Sequence, residues 1–267
     1  MWAMALATLS FSFSAFGTKV LQVRMDPPNW WVGMPGNSVE LLVETFRQEP
    51  IASVALTQGQ GVRILKGEAA QNPAYHYVTV VIEPSAPAQT LVFTVKTKKG
   101  RTYSHSYPLE AREASRRSHM GLDSRDLIYL VTPDRFANGN PVNDQIRGLE
   151  EQTLDRSEGY QRHGGDLQGL TAHLDYIASL GATAVWTMPV LVNDMPRASY
   201  HGYAITDHYR VDPRFGGHRA YKEYAEALHA KDMKLVMDMV PNHIGTGHRF
   251  YQNPPDSNWI NAWPGLP

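Results

Sequence analysis

Over roughly its first hundred residues, the chain alternates apolar and polar positions in short runs. Lys19–Arg24, Val39–Phe46, Ile51–Leu56, Val62–Leu65, Tyr75–Ile82, Leu91–Lys96 and Thr102–Tyr107 are rich in β-branched or aromatic residues. Gly, Pro or Asn bounds most of them, which predicts strands. The last run is the clearest, because Tyr103, His105 and Tyr107 alternate with Thr102, Ser104 and Ser106. Lys98, Lys99 and Gly100 supply the turn before it. No helical period of useful length interrupts these runs, and strands at this spacing predict an immunoglobulin-like β-sandwich over residues 18–110.

The pattern changes after residues 111–122, a charged stretch with Ser and Gly that reads as a linker. Asp126–Val131 is an apolar run ended by Thr132 and Pro133. Leu167, Leu170, Leu174, Ile177 and Leu180 then recur at three- and four-residue spacing, which predicts one amphipathic helix closed by Gly181. Ala182–Met188 predicts a second strand, Arg219–Lys231 a second helix, and Lys234–Met237 a third strand. Strand, helix, strand, helix, strand predicts a parallel sheet, so residues 123–267 read as part of an α/β barrel. The two segments that leave strand carboxyl ends, Pro133–Gly165 and Pro189–Gly217, are long, while the returning turns are short. That asymmetry is expected of a barrel with its site on one face. The third strand ends in Asp238, Pro241, Asn242 and His243, a polar cluster at such a face.

Composition narrows the function. The chain has 267 residues, a net charge of -1 and no cysteine, with a pI near 6.8. Near-neutral charge argues against nucleic acid as a partner, and the lack of cysteine excludes disulfides and thiolate metal sites. Trp2–Phe16 is apolar with interspersed serines and is too short for a membrane span. Residues 1–17 therefore read as a signal peptide, with a periplasmic or secreted destination. No Lys or Arg precedes the apolar stretch, so a cytoplasmic protein with a mis-assigned start is the alternative. Trp30 and Trp31 could form a sugar-stacking platform or belong to the core.

Four segments together resemble glycoside hydrolase family 13, the α-amylase family. They are DRFANGNPVND (134–144), HGGDLQG (163–169), YHGYAITDHYRVDPRFGG (200–217) and DMVPNH (238–243). With the β domain in front, the resemblance is to the cyclomaltodextrinase, neopullulanase and maltogenic amylase group. It implies a (β/α)8 barrel, of which this chain would hold the first three βα units. It also implies action on α-1,4-glucans, maltodextrins or cyclodextrins with retention of configuration, and the possibility of homodimers formed through the N-terminal domain.

The resemblance places a structural calcium ion on Asn138, Asn140, Asn143, Asp144, Gly164 and Asp166, an oxygen-rich set that suits a hard cation. Asn140 stands where many relatives carry Asp, which leaves two carboxylates. Asp166 is also placed to cap the helix that begins at Leu167. On the sugar side, Tyr203 matches the tyrosine that stacks on the sugar ring. His201 and His243 match its hydrogen-bonding partners, and Asp238 matches an acid that steadies the site. The catalytic Asp, Glu and Asp of the family follow the fourth, fifth and seventh strands and cannot be placed in this chain, which is expected to be inactive alone. A non-catalytic maltodextrin-binding module, or a structural relative of the family, is the other reading.

Overall fold

The computed structural model describes residues 22–112 and 121–261. The leader reading of residues 1–17, most of the linker and Trp263 lie outside the described residues. The chain separates into two compact units, dividing after Arg112.

The first unit is built from β1 (Val23–Asp26), β2 (Trp30–Trp31), β3 (Ser38–Thr45), β4 (Ile51–Gln58), β5 (Val62–Ala69), β6 (Tyr75–Ile82), β7 (Gln89–Thr97) and β8 (Thr102–Glu110). They form two four-stranded sheets, ordered β1-β3-β6-β5 and β2-β8-β7-β4. The inward positions of both sheets make one core, in which Leu41, Val43, Phe93 and Val95 are fully buried. This is the sandwich that the alternation predicts. Its two-residue strand β2 was not foreseen, because Trp30–Trp31 is too short to display a period. β2 pairs in parallel with β8, Trp30 opposite Leu109. Trp30 packs against the core, and the two indole rings are tilted by 51° at 6.1 Å. At that tilt the two rings do not lie in one plane.

In the second unit, β9 (Ile128–Val131) leads through a short helix α1 (Pro133–Phe136) and a long loop to α2 (Leu167–Ala172) and α3 (Leu174–Ser179). Next come β10 (Ala184–Thr187), the two-stranded pair β11 (Leu191–Val192) and β12 (Asp207–Val211), and the long helix α4 (Gly217–Ala230). Strand β13 (Lys234–Met237) and α5 (Arg249–Gln252) complete it. β9, β10 and β13 form a parallel sheet with β10 in the centre. Lys234 Nζ donates to Asp126 Oδ2 at 2.7 Å, tying the start of β13 to the approach to β9. That bond, with two further donors, holds the Asp126 carboxyl down to about 2.

The single helix expected over Leu167–Leu180 is two helices joined at His173, whose ψ of 18° leaves the helical range. Thr171 Oγ1 donates to the Leu167 carbonyl at 2.7 Å, and His173 Nδ1 donates to the Gly169 carbonyl at 2.8 Å. Such side-chain competition for helix carbonyls bends or breaks a helix. The apolar spacing still works, since Leu167, Leu170, Leu174 and Ile177 are all buried in the core beneath the sheet. Tyr129, Val185 and Leu235 supply the sheet side of that core. Leu130 and Trp186 lie on the other face and are exposed.

The start of α2 lies backbone to backbone against the loop after β9. A Cβ on Gly165 would sit 2.1 Å from the Pro133 oxygen, and one on Gly169 would sit 2.0 Å from the Ala137 oxygen. Gly169→Ala should therefore destabilise this unit by about 3 kcal/mol, because the obstructing atoms are main chain and cannot rotate away. Chemical denaturation with hydrogen exchange at α2 checks this; an unchanged midpoint refutes the close contact.

Candidate functional site

The carboxyl ends of β10 and β13 converge with the loop around residue 203. The Tyr203 hydroxyl donates to Asp238 Oδ2 at 2.8 Å, and Trp186 Nε1 donates to the same oxygen at 3.1 Å. The His201 and Tyr203 rings are stacked, 24° apart in plane and 6.0 Å between centroids. His201 Nδ1 accepts from the Tyr203 amide at 2.9 Å. With Nδ1 an acceptor the imidazole is the neutral form, and burial pushes its pKa down, with Glu151 opposing. A neutral His201 therefore carries its proton on Nε2, ready to donate. His243 Nε2 lies 2.8 Å from the Tyr203 carbonyl, so this imidazole braces Tyr203 as a donor. Burial, aided by Asp238, pushes the Tyr203 phenol pKa up and keeps it a donor. The geometry thus brings His201, Tyr203, Asp238 and His243 into one cluster, and adds Trp186.

The second predicted group lies where the loop after β9 meets α2. Asp166 caps α2, accepting from Gly169 N at 2.7 Å, and also accepts from Gly139 N at 3.1 Å and Asn140 N at 2.9 Å. Asn143 Nδ2 approaches it at 3.3 Å. Asn138 Nδ2 donates to both oxygens of Asp144, at 2.8 and 3.0 Å. Asn140 Oδ1 accepts from Val142 N and caps the short 3-10 turn Pro141–Asn143. Gly164 packs against Asp144 and Asn138. All six residues therefore share one junction.

A cation fits this chemistry in one respect. Asn138 Oδ1 and Asn143 Oδ1 are buried and have no hydrogen-bond partner, an arrangement that costs free energy unless something else satisfies them. Burial also pushes the Asp144 carboxyl up, with Asp166 adding repulsion. Among the described residues no group of three or more His, Asp or Glu is arranged to hold a metal. A cation here would draw on amide and main-chain oxygens beside the carboxylates of Asp144 and Asp166, all of them oxygen donors that calcium accepts.

A buried ionic network joins Asp134, Asp212 and Arg214, which lie in the quoted segments, to Arg162 and Glu151, which do not. Arg162 and Arg214 are each 1% exposed, as are Asp134 and Asp212. Arg214 makes a two-pronged pair with Asp212, at 3.0 and 2.7 Å, and donates to the Asn193 carbonyl at 2.8 Å. Arg162 lies 3.5 Å from Asp134, donates to Ser199 Oγ at 3.3 Å and sits over the Phe215 ring at 5.0 Å. Glu151 accepts from Ser199 N at 2.8 Å. Burial pushes the Arg162 pKa down, and Arg214 adds to this while Asp134, Asp212 and Glu151 oppose it. Asp212 is thus committed to Arg214.

Parallel βα units with polar and aromatic side chains gathered at strand carboxyl ends fit the α/β-barrel class of fold. Comparison with known proteins names the family. Residues 130–262 match the alpha amylase catalytic domain, and residues 24–113 match the cyclomaltodextrinase N-terminal domain. The chain belongs to the α-amylase family of glycosidases. It is 37% identical over 142 residues to a beta/alpha-amylase of Paenibacillus polymyxa, covering 52% of this chain and 12% of that protein. It is 34% identical over 120 residues to neopullulanase 2 of Thermoactinomyces vulgaris, covering 45% and 20%. It is 36% identical over 118 residues to a cyclomaltodextrinase of Geobacillus thermopakistaniensis, covering 44% and 19%. The aligned part thus spans a fifth or less of the length of these relatives.

Asp134→Asn should cost about 3 kcal/mol or more, because it removes the charge nearest a guanidinium that cannot reach water. Asp134→Asn with Arg162→Met should recover part of the loss. Denaturant midpoints of the single and double variants check this, and equal stability of Asp134→Asn and wild type refutes it.

Proposed function

We propose that this chain forms part of the sugar-binding wall of a glycoside hydrolase acting on α-1,4-glucans, maltodextrins or cyclodextrins with retention of configuration. The observation that carries this reading is the bracing of Tyr203, whose ring stacks on His201 while its hydroxyl and carbonyl are held by Asp238 and His243. A fixed aromatic ring presents a flat apolar surface to the apolar face of a pyranose. The neutral imidazole of His201 and the carboxylate of Asp238 then address hydroxyl groups, one as donor and one as acceptor.

Retaining glycosidases use two close carboxyls, one as nucleophile and one as acid. Asp212 is bound by Arg214 and Asp134 lies beside Arg162, so neither is placed for that work. The family resemblance expects its catalytic carboxylates after the fourth, fifth and seventh strands, whereas the parallel strands described are β9, β10 and β13. We infer that the chain alone binds sugar without cleaving it. The apolar stretch Trp2–Phe16 supports export as the route to a glucan substrate.

Isothermal titration of the full chain with maltoheptaose should give a millimolar dissociation constant, with no new reducing ends released. Tyr203→Ala should weaken binding about tenfold, the effect of losing one stacking surface. Failure of the wild-type chain to bind overturns the reading, and release of reducing sugar overturns the inference that it is silent.

We further infer that calcium is held by Asn138, Asn143 and Asp144 with Asn140, Gly164 and Asp166, supported by the two unpartnered amide oxygens. The ion would neutralise Asp144 and pin the loop to α2. Elemental analysis after gel filtration should find one calcium per chain, and chelation should lower the melting temperature. A metal-free protein whose melting is unchanged by chelator overturns this.

A further inference from the structure

The rings of the sugar-binding wall follow a single turn of 3-10 helix, Ser199–His201. Both of its flanks are left-handed backbone: Ala198 has φ 56° and Gly202 has φ 78°. Glycine adopts that conformation freely, but alanine does so only where its surroundings hold it. The hydrogen bonds that close the turn are long, 3.5 Å from the His201 amide and 3.3 Å from the Gly202 amide. The turn is therefore held from outside, and the hold is on Ser199, which is 1% exposed. Its carbonyl accepts from Asn193 Nδ2 at 3.1 Å, and its hydroxyl oxygen accepts from Arg162 at 3.3 Å. Its amide donates to Glu151 Oε2 at 2.8 Å, the shortest of the three bonds. Glu151 is itself buried, and it reaches the turn from 48 residues upstream, in the loop after β9.

We propose that Glu151 is a positioning residue for the sugar-binding wall: its carboxylate holds the Ser199 amide, closes the strained turn at Ala198 and thereby sets where His201 and Tyr203 stand. The proposal rests on the reading of this cluster as sugar-binding. Asn193 and Arg162 both meet Ser199 as donors, whereas its N–H needs an acceptor, and Glu151 supplies it. A hydrogen bond to an ionised acceptor is stronger than one to a neutral acceptor, which suits a turn with strain to offset. Without Glu151 a buried donor is left unpaired, and Ala198 is free to relax to a right-handed conformation. Such a shift reaches both rings, because His201 lies two residues on and the Tyr203 amide donates to its Nδ1 at 2.9 Å. The charge of Glu151 is attracted by Arg162. It also reaches His201, where it opposes the effect of burial on the imidazole.

The test compares Glu151→Ala and Glu151→Gln in the full chain, followed by NMR and by titration with maltoheptaose. In Glu151→Ala the Ser199 amide proton should move upfield and exchange faster with water. Maltoheptaose binding should weaken about tenfold, the effect of one hydrogen bond to a charged group. Glu151→Gln keeps an oxygen for the amide, so Ser199 should stay protected and the sugar should bind as it does to wild type. The imidazole of His201 should nevertheless titrate at lower pH in Glu151→Gln, because the charge that opposes burial is gone. Tyr200 and Tyr203, the rings against that imidazole, are unchanged in this variant. A Ser199 amide as protected in Glu151→Ala as in wild type overturns the proposal whether or not sugar binds. Lost protection with unchanged affinity overturns the positioning role and leaves the sugar-binding reading standing. Glu151→Gln binding as weakly as Glu151→Ala, or an unmoved His201 titration, also overturns it. Should Glu151→Ala fail to fold, Glu151→Gln decides: its weaker acceptor should still move the Ser199 amide proton upfield, and an unmoved resonance overturns the proposal. If the wild-type chain does not bind maltoheptaose, the sugar-binding reading falls and the Ser199 amide alone decides whether Glu151 closes the turn.

Discussion

Two guanidinium groups without access to water govern the second unit. Arg162 and Arg214 are 1% exposed, and a buried cation is tolerated only when acids and carbonyls surround it. The partners come from separate places in the chain: Asp134 after β9, Asn193 and Ser199 after β10, and Asp212 before α4. Satisfying the charges therefore fixes the two long loops against each other. Once they are fixed, residues 199–203 have a single course. The aromatic and imidazole rings of that segment meet the end of β13 as a consequence.

This arrangement divides labour between charge and neutrality. The ionised pairs are sealed beneath the loops, while the groups that face the cluster around Tyr203 are an imidazole whose burial favours the neutral form and a phenol pushed away from ionisation. A neutral ligand with many hydroxyls is matched by neutral donors and one carboxylate acceptor better than by a field of strong charges.

How much of this was legible in the sequence depends on the range of each interaction. In the first unit the strands follow from alternation, and the strand–helix–strand order let the parallel sheet of the second be anticipated; Ala182–Met188 and Lys234–Met237 are apolar runs, in which alternation does not tell Val185 and Leu235 from their neighbours. The segments around Asp166 and Tyr203 were legible because their residues lie close together in the chain and form a recognisable motif. The break at His173 was not, because it arises from two side chains that compete for carbonyls while the apolar spacing stays perfect. Arg162 was missed for another reason: its partners lie 28 residues upstream and 37 downstream (positions 134 and 199), and nothing local marks an arginine as buried. Trp186 was hidden inside an apolar run, where its ring explains its presence and its N–H goes unnoticed.

The short parallel strand β2 has a consequence for how the protein is made. It pairs Trp30 with Leu109 and Trp31 with Glu110, so a segment near the beginning of the sandwich waits for the last strand before its hydrogen bonds can close. During synthesis the ribosome must deliver all of β8 before that seam exists, and until then the Trp pair has no place in a sheet. Pairings between such distant positions form late and slowly. The seam makes completion of the sandwich coincide with the moment at which the following unit starts to emerge, so the nascent chain finishes one fold as it begins the next.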